Sequence, residues 1–158
     1  MSRRARRRGR EDKAGIGPDL GALEFRMLRF LAEHQALTLS QLARLARVES
    51  RQARQISSSL ERSGYLRGAQ LLVGREPWLW LTGSGARRAG MGFREGRPGV
   101  GSLARLHALA EIRMQIVARA PEARWRSGRS VVREQGRGPA RPCAIVEYSL
   151  RVLRADKA

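Results

Sequence analysis

The sequence predicts an α+β chain: three helices, a two-stranded hairpin and a fourth helix, then a long helix and a small, incomplete β-sheet. Three observations lead there. Apolar residues recur at helical spacing from Leu20 to Leu60. The period shortens to a strand-like one in "YLRGAQLLV" and "PWLWL". It lengthens again in "SLARLHALAEIRMQIVARA", a helix that Pro121 stops.

Taken in order, residues 1–18 combine arginine clusters with Gly and Pro and have no periodicity, which predicts a disordered basic arm. The first helix is expected from Leu20 to His34, with Asp19 as N-cap and His34 at its last carbonyls. Its inward stripe is Leu20, Leu23, Met27, Phe30 and Leu31. The second opens in "TLSQLARLARV", where Thr38 caps and Gln41 completes a capping box; Leu42, Leu45 and Ala46 face inward. Ser50 is expected to cap the third helix, and Gly64 suits its left-handed ending.

In the hairpin, "GRE" is the turn, and the alternation of Trp78, Leu79, Trp80 and Leu81 predicts one pair facing the core and the other outward. Thr82 precedes the fourth helix, "TGSGARRAGM". Three helices, a hairpin and a helix are the order of a winged helix-turn-helix domain, expected over residues 19–92. The glycine-rich "FREGRPGVGS", 93–102, reads as a linker. Residues 103–158 follow as an α/β region: the long helix, then strand candidates "RWRS", "SVVRE" and "CAIVEYSL" around a Gly/Pro/Arg loop at 135–142.

Charge narrows the function. The chain has 32 basic and 14 acidic residues, net +18, and only Lys13 and Lys157 are lysines. The excess is spread along the chain, and such a field attracts polyanions. Guanidinium offers a planar fork of donors suited to phosphates and guanine edges. Cys143 is the only cysteine, which excludes an internal disulfide and a cysteine-rich zinc site. His34 and His107 are too few and too far apart for a metal site, so no cofactor and no metal are expected. No apolar run approaches the ~20 residues of a membrane span. The start, "MSRRARRRGREDK", lacks the apolar stretch of a signal peptide, and a cytoplasmic location is expected.

The third helix holds the candidate site. Arg51, Gln52, Arg54 and Gln55 stand at its start, opposite Ala53, Ile56 and Leu60. Arginine pairs bidentately with guanine and glutamine with adenine, whereas Ser58 and Arg62, further on, suit phosphates. Arg75, at the hairpin tip, is placed for the minor groove or a phosphate, or equally for solvent as a turn arginine. Arg3, Arg4, Arg6, Arg7 and Arg8 would track phosphates without sequence choice. Polar residues opposite an apolar stripe are also the ordinary condition of a surface helix; the capping box, the hairpin and the charge tip the reading toward double-stranded DNA.

The pattern of a helix, "L-x-x-L-x-x-L", an arginine-rich helix, "L-x-x-x-G-Y-L" and "W-L-T-x-x-G" resembles the winged-helix region of the replication-relaxation family, actinobacterial proteins associated with plasmids and other mobile elements. "LARLHALAEIRMQIVARAPEARWRSGRSVVRE" followed by "RPCAIVEY" is similar to the family's second, restriction-endonuclease-like region. The resemblance covers roughly residues 20–148. The family's Pro-Asp pair is replaced here by Pro142 and Cys143, and the chain ends at Ala158, ahead of the later acidic strand.

What the resemblance implies is a DNA-binding protein, a transcription regulator or replication accessory factor of a mobile element. Its C-terminal half would be a truncated, inactive endonuclease-like remnant that packs on the DNA-binding half or joins two copies in a homodimer. The first alternative is a metal-dependent nuclease using Glu111, Glu134 or Glu147. The second is a structural adaptor whose basic face holds an acidic protein.

Overall fold

The computed structural model describes residues 20–91, 96–135 and 144–147. Helix α1 (Ala22–His34) starts later than its periodicity predicts, because the Glu24 carboxylate accepts the Gly21 amide at 2.8 Å and makes Gly21 the N-cap. Asp19 and the basic arm lie outside the described residues. The buried face of α1 is Met27, Leu28, Leu31, Ala32 and His34. Leu20, Leu23 and Phe30 are only half-buried against the core, a correction to the predicted stripe.

Gln35, at φ 71°, turns the chain into β1 (Ala36–Thr38), which the sequence reading does not anticipate. Thr38 then caps α2 (Leu39–Ala46) as predicted. Its hydroxyl accepts the Gln41 amide, and the Gln41 side-chain oxygen accepts the Thr38 amide, both at 3.3 Å. Arg47, left-handed at φ 54°, ends α2 and opens the short turn to α3 (Ser50–Arg62). Glu49, not Ser50, is the N-cap of α3. Leu42 and Ala46 of α2 meet Ala53 and Leu60 of α3 in the main core, while Leu45 is half-buried.

Gly64, at φ 74°, ends this helical run in the left-handed conformation its residue type favours. Strands β2 (Leu66–Ala69) and β3 (Trp78–Leu81) form the hairpin, and β1 pairs with the free side of β3. The sheet is antiparallel in order β1-β3-β2, with Leu37 opposite Leu79 and Leu66 opposite Leu81. Thr82 caps α4 (Gly83–Arg88) and also donates its hydroxyl to the Gly64 carbonyl at 2.6 Å, tying the helix start to the end of α3.

After Pro98, which is buried, a short 3-10 turn (Val100–Ser102) leads into α5 (Leu103–Arg119), so this part of the expected linker has structure of its own. Helix α5 decides the fate of the tryptophans. Leu79 and Leu81 join the main core beneath the helices, whereas Trp78 and Trp80 pack with Ala36, Leu103 and Leu106 on the opposite face. All four residues of β3 are at most 6% exposed. The expected outward pair does not exist, because α5 covers the second face of the sheet.

Strand β4 (Arg124–Ser127) pairs antiparallel with β5 (Ala144–Glu147), Trp125 opposite Val146. Between them, "SVVRE" is not a strand but part of helix α6 (Gly128–Gln135). The Ser127 hydroxyl accepts the Ser130 amide at 3.2 Å, a capping contact that starts a helix where β-branched residues favour a strand. Over the described residues the chain is thus mixed α+β with two small antiparallel sheets. Among the described residues no helix is long and apolar enough to cross a membrane.

Candidate nucleic-acid interface

The buried residues of α3 are Ala53, Ser57 and Leu60, which anchor one side of the helix. Arg51, Gln52, Arg54, Gln55, Ser58 and Arg62 are all exposed. Positions 51, 54, 55, 58 and 62 follow helical spacing, so they form one stripe down the side away from the core. Among the described residues no hydrogen bond or ion pair engages the side chains of Arg51, Gln52, Arg54 or Gln55. Arg62 instead donates from Nε to the Ser58 carbonyl at 3.3 Å, folding back on its own helix. The Glu49 N-cap makes no side-chain capping bond, so the first amides of α3 keep their donors for a phosphate or water.

Arg75 is exposed in the loop joining β2 to β3, where Gly74 is left-handed at φ 67° and Val73 is fully exposed. The loop is held against α2. The Glu76 carboxylate accepts both the Ser40 amide at 3.0 Å and the Ser40 hydroxyl at 2.5 Å. On the other side α5 is pinned to α2: Glu111 accepts from Gln41 Nε2 at 3.1 Å and from Arg44 Nη1 at 3.0 Å. Partial burial raises the Glu111 carboxyl, but the hydrogen bonds from Gln41 and Arg44 and the charges of Arg44 and His107 outweigh it and hold it below the usual carboxylate range. The same Gln41 thus caps its own helix through its oxygen and ties down α5 through its nitrogen.

His34 does not sit at exposed carbonyls, as its place at the end of α1 suggests. It is buried, its ring stacked on Trp125 at 5.8 Å, and Arg113 Nη1 lies 3.1 Å from its Nε2. Guanidinium can only donate, so Nε2 is the acceptor and the imidazole proton is on Nδ1. Burial first, and the charge of Arg113 second, push the His34 pKa down to about 3. Arg113 also pairs with Glu33 and lies over the Phe30 ring at 4.9 Å, so α1, α5 and β4 converge on one guanidinium.

The three carboxylates of the nuclease alternative do not converge. Glu111 belongs to the α2–α5 contact, while Glu134 and Glu147 both pair with Arg126. Among the described residues no group of three or more His, Cys, Asp or Glu could hold a metal ion. Cys143 and the arm residues Arg3, Arg4, Arg6, Arg7 and Arg8 lie outside the described residues.

No family model matches the chain, and no curated protein matches it. Among solved structures the chain is similar to NadR in complex with 4-hydroxyphenylacetate, with 19% identity and a TM-score of 0.42, covering 63% of this chain and 62% of that one. The chain therefore matches less than two thirds of NadR's length. So distant a likeness says nothing of what this chain binds.

Sequence reasoning passed over two residues, one beside the start of α3 and one beside the hairpin loop. Arg47 occupies the turn directly ahead of α3, and Ser40, exposed at the start of α2, anchors the hairpin loop. A basic residue between two helices was a legible signal for the first. Nothing local announced the second, since Glu76 lies 36 residues away.

Proposed function

We propose that residues 20–91 act as a winged helix-turn-helix domain that binds double-stranded DNA, with α3 in the major groove and the β2–β3 loop as the wing. One observation carries the reading: a helix stripe of Arg51, Gln52, Arg54 and Gln55 that is exposed and without partners among the described residues, on a chain of net charge +18. Those side chains match the bidentate edges of guanine and adenine. Arg75 of the wing and the basic arm hold phosphates, and Ser58 and Arg62 do so along α3. The turn with Arg47 and the Ser40–Glu76 contact fix how α3 and the wing stand relative to each other.

The protein acts, in this reading, as a regulator or replication accessory factor of a mobile element, of the replication-relaxation type that its motifs resemble. It catalyses no reaction. Two copies acting as a dimer belong to the same proposal, with α5 carrying Ile112, 47% exposed, at their contact. Analytical ultracentrifugation decides that part.

Fluorescence anisotropy on duplex DNA across a salt series tests the reading. The logarithm of the binding constant should fall linearly with the logarithm of salt, by ~0.9 for each phosphate neutralised. Arg51→Ala and Gln55→Ala should each weaken specific binding by about 1–3 kcal/mol and non-specific binding by less. Equal losses on both would place these residues on phosphates. Binding indifferent to salt would overturn the proposal, and selective capture of one acidic protein would then favour the adaptor.

A further inference from the structure

A cavity of about 650 Å³ opens between α2, the β2–β3 loop and α5. Leu72, Trp78, Val100, Leu103 and Ala104 supply its apolar walls. Its two carboxylates are already engaged, Glu76 by Ser40 and Glu111 by Gln41 and Arg44. The charge left unanswered among the described residues is cationic, that of Arg75. A volume in this range suits a drug-sized organic ligand.

We infer that this cavity binds a small organic anion with a flat apolar body, which displaces DNA by recruiting Arg75. The apolar body lies against Leu103 and Ala104, and the anionic group meets the Arg75 guanidinium. Arg75 is at once a wall of the cavity and a residue of the wing, so an anion that draws its guanidinium into the cavity takes it away from a DNA phosphate. The two ligands are therefore negatively coupled. The coupling rests on the DNA-binding reading above, whereas the cavity's occupancy does not.

Anilinonaphthalene sulfonate (ANS), a ring system bearing one anionic group, is the probe. The native protein should saturate with ANS and raise its fluorescence. Ala104→Phe, which fills the cavity from an exposed position on α5, should abolish that signal while circular dichroism stays unchanged. Arg75→Ala should weaken it. Absence of a saturable signal, or a signal indifferent to Ala104→Phe, overturns the site.

Saturating ANS should also lower DNA affinity at least ~5-fold, the lower end of usual allosteric coupling, and should do so neither in Ala104→Phe nor in Arg75→Ala. ANS binding without an effect on DNA affinity overturns the coupling. A protein that binds ANS in this way but no DNA at any salt concentration refutes the DNA-binding reading and leaves the site standing.

Discussion

At the scale of single residues, two backbone positions show how closely the elements depend on their residue types. A Cβ at Gly85 would stand 1.9 Å from the Tyr65 carbonyl oxygen, so α4 reaches the start of β2 only because that position has no side chain. Gly85→Ala should therefore lower stability by about 2 kcal/mol or more, read as a fall in the urea midpoint. Arg47 is the opposite case: a left-handed residue, φ 54°, with a side chain where glycine is the usual choice. Arg47→Gly should be stabilising by up to ~1 kcal/mol, and a lowered thermal midpoint would refute this reading of the turn. The local chemistry of Thr38 and Gln41 was legible in the sequence, because a capping box spans only three residues. The second bond of Gln41, to Glu111, was not, since 70 residues separate the partners.

At the scale of elements, α3 could be read from its sequence almost entire. Its apolar positions lie on one stripe, Gly64 marks its end, and among the described residues no side-chain hydrogen bond or ion pair engages Arg51, Gln52, Arg54 or Gln55 on the other side. Strand β3 was read with the wrong consequence. "WLWL" has four apolar residues in succession, which is the pattern of a strand buried on both faces rather than of one that alternates between core and water. The partner that buries the second face, α5, comes more than 20 residues later, and no local rule joins the two. The α2–α5 contact can be tested directly. Glu111→Gln removes the charge that Arg44 and Gln41 share and should lower stability by about 1 kcal/mol, a figure kept small because the Arg44 side chain is largely exposed. An unchanged urea midpoint would mean that Leu103 and Leu106 hold α5 in place without that carboxylate.

At the scale of the molecule, acid should loosen the join between α1, α5 and β4 before it reaches most carboxylates. Unfolded chains protonate histidine near pH 6.5, whereas folded His34 resists until about pH 3. Between those values the unfolded state binds the extra proton, so stability falls as pH drops from 6.5. Below about 4.5 Glu111 adds to the loss, because its carboxyl is held low in the fold and its stabilisation goes as it protonates. His34→Phe keeps a ring against Trp125 and removes the titration. Its thermal midpoint should therefore depend less on pH between 6.5 and 4.5 than that of the native chain, as scanning calorimetry would read it. Equal slopes in the two proteins would place the acid sensitivity elsewhere.

The sequence by itself determined the order of helices and strands as far as α5, β1 excepted, together with the cap of α2, the start of α4 after Thr82, the exposed character of the α3 stripe, and a net charge of +18. These follow from interactions over a few residues, or from composition, and so are written locally. Only the tertiary structure decided that β1 completes the sheet, that "SVVRE" coils into α6, that the tryptophans lie beneath α5, and that His34 is buried beside Arg113. Each of those depends on what covers a surface or satisfies a buried polar group. The covering residues are distant in the chain, and burial, unlike helical periodicity, leaves no record of which partner supplies it.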